Sequence, residues 1–140
     1  MRKLLDILTE QFEVVMEQCG YDKKCAKVSV SNRPDLCEYQ CNGAMALAKA
    51  HKKAPIMIAN ELVEKLSGNE MFSEITAVNP GFINIKISDA VLASYIEEMA
   101  ADENTGCDRN VNPKKIVIDY GGANVAKPLH VGHLRSAIIG

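Results

Sequence analysis

The segment from residue 115 to 140 constrains the fold more than any other part of this 140-residue chain. Residues 115–120, Lys-Ile-Val-Ile-Asp-Tyr, form a continuous apolar run rich in β-branched side chains, which is typical of a parallel strand buried on both faces. Two glycines end the run, and Pro128 keeps the following loop open. Apolar residues then recur at helical spacing from Val131. The sequence predicts a strand, an open loop and a helix that begins beside two histidines.

The start of this helix has the chemistry of an anion site. His130 and His133 lie three residues apart, so both imidazoles can face one ligand, and Gly132 lets a nucleotide approach the backbone. Lys127 adds a positive charge, and the first helical amides carry the positive end of the dipole. These groups predict a phosphate site that stabilises charge without a covalent intermediate. Either histidine taken singly is more often a helix cap or a surface residue.

The longer run over residues 124–135 reads Asn-Val-Ala-Lys-Pro-Leu-His-Val-Gly-His-Leu-Arg. It resembles the signature of class I aminoacyl-tRNA synthetases, and its flanking residues resemble those of arginyl-tRNA synthetases in particular. The resemblance implies that the parent protein uses ATP, with Mg²⁺, to activate L-arginine and to charge tRNA(Arg). It implies three catalytic residues, Lys127, His130 and His133. The implied ATP-binding residues are the same three together with Gly132.

The same resemblance places the arginine-binding pocket at Asn124 and Gly122. Members of the family commonly carry Ser and Pro before that asparagine, whereas this chain has Gly121-Gly122-Ala123. This chain therefore lacks the serine whose hydroxyl could contact the amino acid, and backbone groups could make that contact instead.

A second resemblance lies in residues 38–45, Glu-Tyr-Gln-Cys-Asn-Gly-Ala-Met. They are similar to the signature of the extra N-terminal domain of arginyl-tRNA synthetases, except that Cys37-Glu38 stand where Gly-Asp is usual. In that family the domain touches the outer corner of the tRNA. Tyr39 could therefore stack on an unstacked base, and Gln40 or Asn42 could hydrogen-bond its edge. Asn42 could equally cap the following helix, and that interpretation is preferred.

Charge limits where RNA could bind. Residues 1–101 contain 11 Lys or Arg against 14 Asp or Glu, which excludes a uniformly basic surface, so RNA phosphates would have to meet a local cluster. Candidate clusters are Lys23 and Lys24 with Lys27, Arg33 in a loop, and Lys52 and Lys53 beside His51. The predicted contacts among them are Arg33, Lys52 and Lys53. The same cations are compatible with a solvated surface or, at a helix C-terminus, with the dipole.

The rest of the sequence predicts an α+β fold, with helices packed on a small antiparallel sheet. Predicted helices are 4–19, 43–52, 55–66 and 88–101, and predicted strands are 27–31, 75–79 and 82–87, the last two joined by a hairpin at Pro80-Gly81. Residues 32–40 are predicted as loop. The predicted domains are a tRNA-binding N-terminal domain (1–101), a linker (102–114) and the start of a Rossmann-like catalytic domain (115–140).

Cysteine content and hydropathy predict a cytoplasmic protein. The five cysteines are an odd number without a secretory signal, and the early Asp6 interrupts any signal-like apolar run. No apolar run is long enough to cross a membrane, and no membrane partner is expected. Cys37 and Cys41 have a C-x3-C spacing, but a second close pair is missing, so no protein-bound metal is predicted. A monomer is expected.

The sequence therefore predicts the N-terminal portion of an arginyl-tRNA synthetase. A nucleotide site of this kind needs several parallel strands beside the first, so these 140 residues are expected to be inactive alone and to contribute tRNA docking. Two alternatives remain at this point. One is a fragment of another nucleotidyl-transferring enzyme with the same strand, loop and helix, and the other is a free-standing RNA-binding module.

Overall fold

A computed structural model describes residues 1–118 and 126–139 and separates the chain into two units, Met1–Asp108 and Arg109–Gly140. The first unit carries four helices and four strands, and a short 3₁₀ turn at Lys23–Cys25. Its helices are α1 (Leu4–Gln18), α2 (Gly43–His51), α3 (Pro55–Leu66) and α4 (Asp89–Ala101). Its strands are β1 (Val28–Val30), β2 (Tyr39–Cys41), β3 (Phe72–Val78) and β4 (Phe82–Ile87). The second unit contains α5 (Val131–Ile139).

Helix α1 forms as its apolar spacing predicts. Leu8, Phe12 and Met16 recur every four residues and are completely buried. The helix ends in a Schellman motif, because Gly20 adopts a left-handed φ of 75° and the amides of Gly20 and Tyr21 bond back to the carbonyls of Glu17 and Met16.

The other helices of this unit also begin where local signals place them. Pro55 occupies the first turn of α3, where its missing N–H costs nothing, and α3 buries Ile58 and Leu62 completely. The hydroxyl of Ser88 accepts a hydrogen bond from the amide of Val91 and so caps α4. The predicted helices are therefore confirmed, with ends that agree to within one residue.

The sheet has the antiparallel strand order β1-β2-β4-β3. The hairpin between β3 and β4 is confirmed, although β3 begins at Phe72, three residues before the predicted start. The prediction of loop over residues 32–40 is wrong at its end, because Tyr39 and Gln40 belong to β2. This strand is only three residues long and is stabilised by pairing with β1 and β4 on its two sides, which no local pattern reveals.

The two faces of the sheet differ in chemistry. One face packs against α1, α2 and α3, and it includes the buried Cys41, Ile83 and Ile85. The opposite face, here called the outer face, carries a row of four polar residues that lie in register across all four strands. That row is Ser29, Gln40, Asn84 and Thr76. Alternation along each strand therefore separates an apolar core from a polar surface.

In the second unit, the described part of the predicted strand does not form. Residues 113–118 have no regular structure, and Ile116, Val117 and Ile118 are 77%, 83% and 77% exposed. A strand at 115–120 is therefore wrong for residues 115–118, while residues 119 and 120 lie outside the described part of the chain. A strand is stabilised by hydrogen bonds to a neighbouring strand, and no described residue pairs with this segment. Helix α5 begins at Val131, beside the histidines, as predicted.

Among the described residues, no helix is both long enough and apolar enough to cross a membrane.

Candidate functional site

The two histidines of the second unit hold each other at the start of α5. His130 immediately precedes the helix, and its Nδ1 accepts a hydrogen bond from the amide of Gly132 over 3.1 Å. The Nδ1 of His133 accepts in return from the amide of His130 over 3.2 Å. This is the reciprocal arrangement of a capping box, with imidazoles in place of the hydroxyl and the carboxylate. The histidines are therefore helix caps in this structure.

The cap also determines which ring nitrogen of each histidine can donate a hydrogen bond to a ligand. Because Nδ1 of each ring accepts a hydrogen bond, the neutral imidazoles of His130 and His133 carry their hydrogen on Nε2. The ring centroids lie 4.2 Å apart. Two imidazoles with their hydrogen on Nε2 therefore lie close together at the positive end of a helix, and N–H groups there can stabilise negative charge.

The ring of His130 packs against Gly132. A Cβ atom at position 132 would lie 2.9 Å from Cε1 and 3.1 Å from Nδ1 of His130. A side chain at position 132 would therefore displace the imidazole of His130 from this position. A glycine here thus keeps the His130 ring in place, beside allowing the close approach of a nucleotide that the sequence suggested.

The other predicted residues of this site are only partly described. Lys127 is exposed, three residues before His130. Asn124 and Gly122, the predicted arginine-binding residues, lie outside the described residues. The structure thus brings His130, Gly132 and His133 together.

In the first unit, Tyr39 and Gln40 lie on opposite faces of the sheet. Tyr39 is half-buried against the core, and burial is the main cause that raises the pKa of its hydroxyl, followed by the charges of Glu38 and Tyr95. Gln40 lies on the outer face and donates from Nε2 to the Oδ1 of Asn84 over 3.0 Å. The two predicted tRNA-binding side chains are therefore not brought to one surface.

Sequence reasoning missed two residues of the outer face. Asn84 accepts a hydrogen bond from Gln40. Phe82 lies two residues before Asn84 on β4 and so on the same face, where it is half-buried and pairs with Val78 of β3. The β2–β4 register, continued by one step, places Phe82 opposite Asn42. An aromatic ring and two amide side chains thus share one face. The alternation of Phe82, Asn84 and Lys86 with three buried isoleucines was the available signal.

Asn42 does not cap α2 through its side chain. It occupies the N-cap position, but its side chain makes no capping hydrogen bond, so the preferred interpretation is wrong. The backbone explains the discrepancy, since Asn42 has a ψ of 8° rather than the extended conformation usual for a capping residue. Its exposed side chain instead lines an open cleft together with Lys24, Lys27 and Ser29.

Two of the predicted basic contacts are already engaged. The guanidinium of Arg33 binds Asp35 through two hydrogen bonds of 3.0 and 2.8 Å, which raises the pKa of Arg33 and lowers that of Asp35. Lys53 Nζ lies 3.1 Å from both the hydroxyl of Tyr21 and Oε2 of Glu61. Lys52 is also exposed, at the left-handed end of α2, but has no ion pair among the described residues.

Lys53, Tyr21 and Glu61 form a triad that joins the α2–α3 connection, the end of α1 and helix α3. The hydroxyl of Tyr21 donates to Glu61 over 2.5 Å, and this bond, together with Lys53, lowers the pKa of the Glu61 carboxyl. Burial and the bond to Glu61 raise the pKa of Tyr21. The hydrogen bonds of Lys53 to Tyr21 and Glu61 raise its pKa in turn. The geometry is that of a structural clip.

The cysteines are free thiols. Cys37 Sγ lies 3.2 Å from Ser31 Oγ, and burial raises the pKa of Cys41 to about 11. Within the described parts of the chain, no three His, Cys, Asp or Glu side chains are grouped to hold a metal ion.

Comparison with known proteins identifies the family. Residues 6–87 match the family described as "Arginyl tRNA synthetase N terminal domain", and residues 95–140 match "tRNA synthetases class I (R), catalytic domain". Arginine–tRNA ligases from Alkaliphilus oremlandii and Agathobacter rectalis are 56% and 52% identical over the whole chain. The chain spans about a quarter, 24%, of the length of each of these curated relatives.

Solved structures agree in fold. The arginyl-tRNA synthetase of Thermus thermophilus superposes with a TM-score of 0.58 at 26% identity, over 96% of this chain and 21% of that one. The arginyl-tRNA synthetase of Plasmodium falciparum superposes with a TM-score of 0.61 at 23% identity, over 99% of this chain and 27% of that one. This second comparison shows a similar fold only. The α+β fold class is confirmed, and the relatives do not support the two alternatives to the predicted family. The chain belongs to the arginyl-tRNA synthetases, as their N-terminal domain followed by the first part of the class I catalytic domain.

Proposed function

We propose that this chain forms the N-terminal part of a cytoplasmic, monomeric enzyme that activates L-arginine with ATP and transfers it to tRNA(Arg). Its proposed divisions are a tRNA-docking domain over 1–101, a linker over 102–114 and the start of the catalytic domain over 115–140. The observation that carries the catalytic part is the mutual capping of His130 and His133, because it holds both rings at a helix start with the hydrogen of each neutral ring on Nε2.

In this proposal the Nε2–H groups of His130 and His133 donate to oxygens of the ATP α-phosphate, where negative charge grows as arginine attacks. Lys127 supplies a further positive charge, and Gly132 lets the nucleotide approach the helix start. Asn124 and Gly122 are the proposed contacts to arginine. No group of the chain forms a covalent intermediate, so these residues act by orientation and charge stabilisation.

Mg²⁺ is proposed to enter with ATP. Residues 126–139 contain no Asp or Glu, and hard cations such as Mg²⁺ prefer oxygen ligands. The phosphate oxygens and water would therefore hold the ion at this segment, rather than side chains of the chain.

The N-terminal domain is proposed to dock tRNA(Arg) through the outer face of its sheet. Gln40 and Asn42 would hydrogen-bond an unstacked base, Asn84 would orient Gln40, and Phe82 would provide the stacking surface. Tyr39 would support this face from the core side. All three proposed basic contacts are exposed, but Arg33 and Lys53 would have to leave their ion pairs to reach phosphate, whereas Lys52 has no ion pair among the described residues.

Binding of a tRNA(Arg) transcript to the 140-residue chain at two salt concentrations tests the docking function. We expect affinity to fall as salt rises, because RNA contacts release counterions. Replacement Gln40→Ala should weaken binding, and Gln18→Ala, an exposed glutamine at the end of α1, is the matched control. A chain without salt-dependent tRNA binding, or equal loss in both variants, would contradict the proposal.

A further inference from the structure

We infer that the cleft between the 3₁₀ turn, β1 and the start of α2 binds a phosphate of the RNA backbone, with Lys24 and Lys27 as its cations. This inference rests on the proposed docking of tRNA by the outer face. It adds a backbone contact to the base contacts proposed for Gln40 and Asn42. The polar side chains that line the cleft are Lys24, Lys27, Ser29 and Asn42.

The cleft is continuous with the outer face through the β1–β2 ladder. Ser29 lies opposite Gln40, and the same register continued one step places Lys27 opposite Asn42. Directly opposed side chains on one face of an antiparallel pair are neighbours, with Cβ atoms about 5 Å apart. A nucleotide whose base meets Gln40 would therefore carry its backbone close to Lys27 and Ser29.

The charges of the cleft favour an anion. Lys23 is paired with Glu17 at 3.5 Å, but neither Lys24 nor Lys27 has an ion-pair partner among the residues that the structure describes. The closest acidic residue in sequence, Asp22, accepts a hydrogen bond from the backbone amide of Lys24 over 3.0 Å and so caps the 3₁₀ turn. Two ammonium groups thus remain at the cleft for a phosphate to neutralise.

The far end of the outer face has the opposite character and gives the RNA a direction. Glu38, directly before β2 and two residues from Gln40, accepts a hydrogen bond from the amide of Ile87 over 2.9 Å, and Glu74 pairs with Lys86 at 2.7 Å. Two carboxylates share one lysine at that end, so its net negative charge repels a polyanion, whereas the two lysines at the other end attract it. The backbone should therefore run over the cleft, with the base directed toward Gln40 and Asn84.

The salt dependence of tRNA(Arg) binding to the 140-residue chain tests this inference. The double variant Lys24→Ala/Lys27→Ala should reduce the slope of log K against log salt by roughly one for each lysine that contacts phosphate. It should weaken binding of tRNA(Arg) and of an unrelated tRNA by the same factor, because phosphate contacts carry no sequence information. The matched control is Lys3→Ala/Lys65→Ala, two exposed lysines outside the cleft.

A slope unchanged from the parent chain, or reduced equally in the control, would overturn the phosphate site. If the Gln40→Ala variant still weakens binding in that case, the docking function stands without the cleft. If the parent chain itself shows no salt-dependent binding, the docking function fails and the phosphate site fails with it. Circular dichroism melting of each variant shows whether a loss of affinity reflects unfolding.

Discussion

The side-chain amide of Gln40 donates a hydrogen bond of 3.0 Å to Asn84 across the β2–β4 ladder, joining residues that lie 44 positions apart. This bond fixes the orientation of Gln40 on the outer face. Both side chains are half-buried, so the hydrogen bond between their amide groups replaces hydrogen bonds that water would otherwise make. The ring of Phe82 shares the face, and these three residues make up the proposed contact surface for one unstacked base.

Replacement Phe82→Ala should lower the affinity of the chain for tRNA(Arg), because it removes the proposed stacking surface. Stacking of a base on an aromatic side chain contributes about 1–3 kcal/mol, which corresponds to a loss of roughly 5-fold to 150-fold. Fluorescence titration at constant salt measures the effect. The variant Phe82→Tyr keeps the ring and should bind as the parent does, so equal loss in both variants would remove Phe82 from the site.

Replacement Gly43→Ala should destabilise the first unit, although alanine normally favours a helix by about 1 kcal/mol. A Cβ at position 43 would lie 2.3 Å from the carbonyl oxygen of Cys25 and 2.7 Å from Cε of Met16. Relief of such overlap in a packed core typically costs about 1–3 kcal/mol. Urea unfolding measures the change, and Ala50→Gly, at an exposed position of the same helix, should lose only helix propensity. A more stable Gly43→Ala chain would contradict the close approach.

Acid should weaken the clip formed by Tyr21, Lys53 and Glu61. In the folded chain the pKa of the Glu61 carboxyl lies below its ordinary value of 4.5, because Tyr21 and then Lys53 bond the charged form. The stabilising contribution is complete above pH 4.5 and is lost as the pH falls through the lower folded pKa.

The variant Glu61→Gln should therefore lose stability near neutral pH and show a smaller change between pH 5 and pH 3 than the parent chain. Thermal melting across this range measures both effects. The control Glu64→Gln alters an exposed carboxyl of the same helix and should leave the pH profile as it is in the parent. Parallel profiles for the parent chain and Glu61→Gln would show that the clip contributes nothing to acid sensitivity.

Replacement Gly132→Ala should impair arginine activation in the full-length enzyme. The added Cβ would lie 2.9 Å from Cε1 of His130 and would displace the ring from its position beside His133. Loss of one donor to a developing anion typically lowers kcat by about 10²-fold to 10³-fold. Arginine-dependent ATP–pyrophosphate exchange measures this step. The control is Leu129→Ala, at an exposed position directly before His130. Exchange at the parental rate in Gly132→Ala would contradict the proposed role of the histidine pair.

Local signals determined much of this chain. Apolar spacing and Gly20 predicted α1, Pro55 predicted the start of α3, and the turn before Phe82 predicted the β3–β4 hairpin. Residues 124–135 predicted the family, because the chemistry of that motif is contained in a few consecutive positions. Helix caps, turns and short motifs depend on residues within one or two turns of each other, so a single sequence can reveal them.

Only the tertiary structure decided which residues share a surface. The strand at Tyr39 exists because β1 and β4 pair with it, and strand alternation then separates Tyr39 from Gln40 and brings Phe82 and Asn84 to the outer face. Residues 115–118 have an equally strong strand pattern but pair with no strand among the described residues. Pairing and register join positions far apart in the chain, and their free energy comes from long-range contacts that local patterns do not contain.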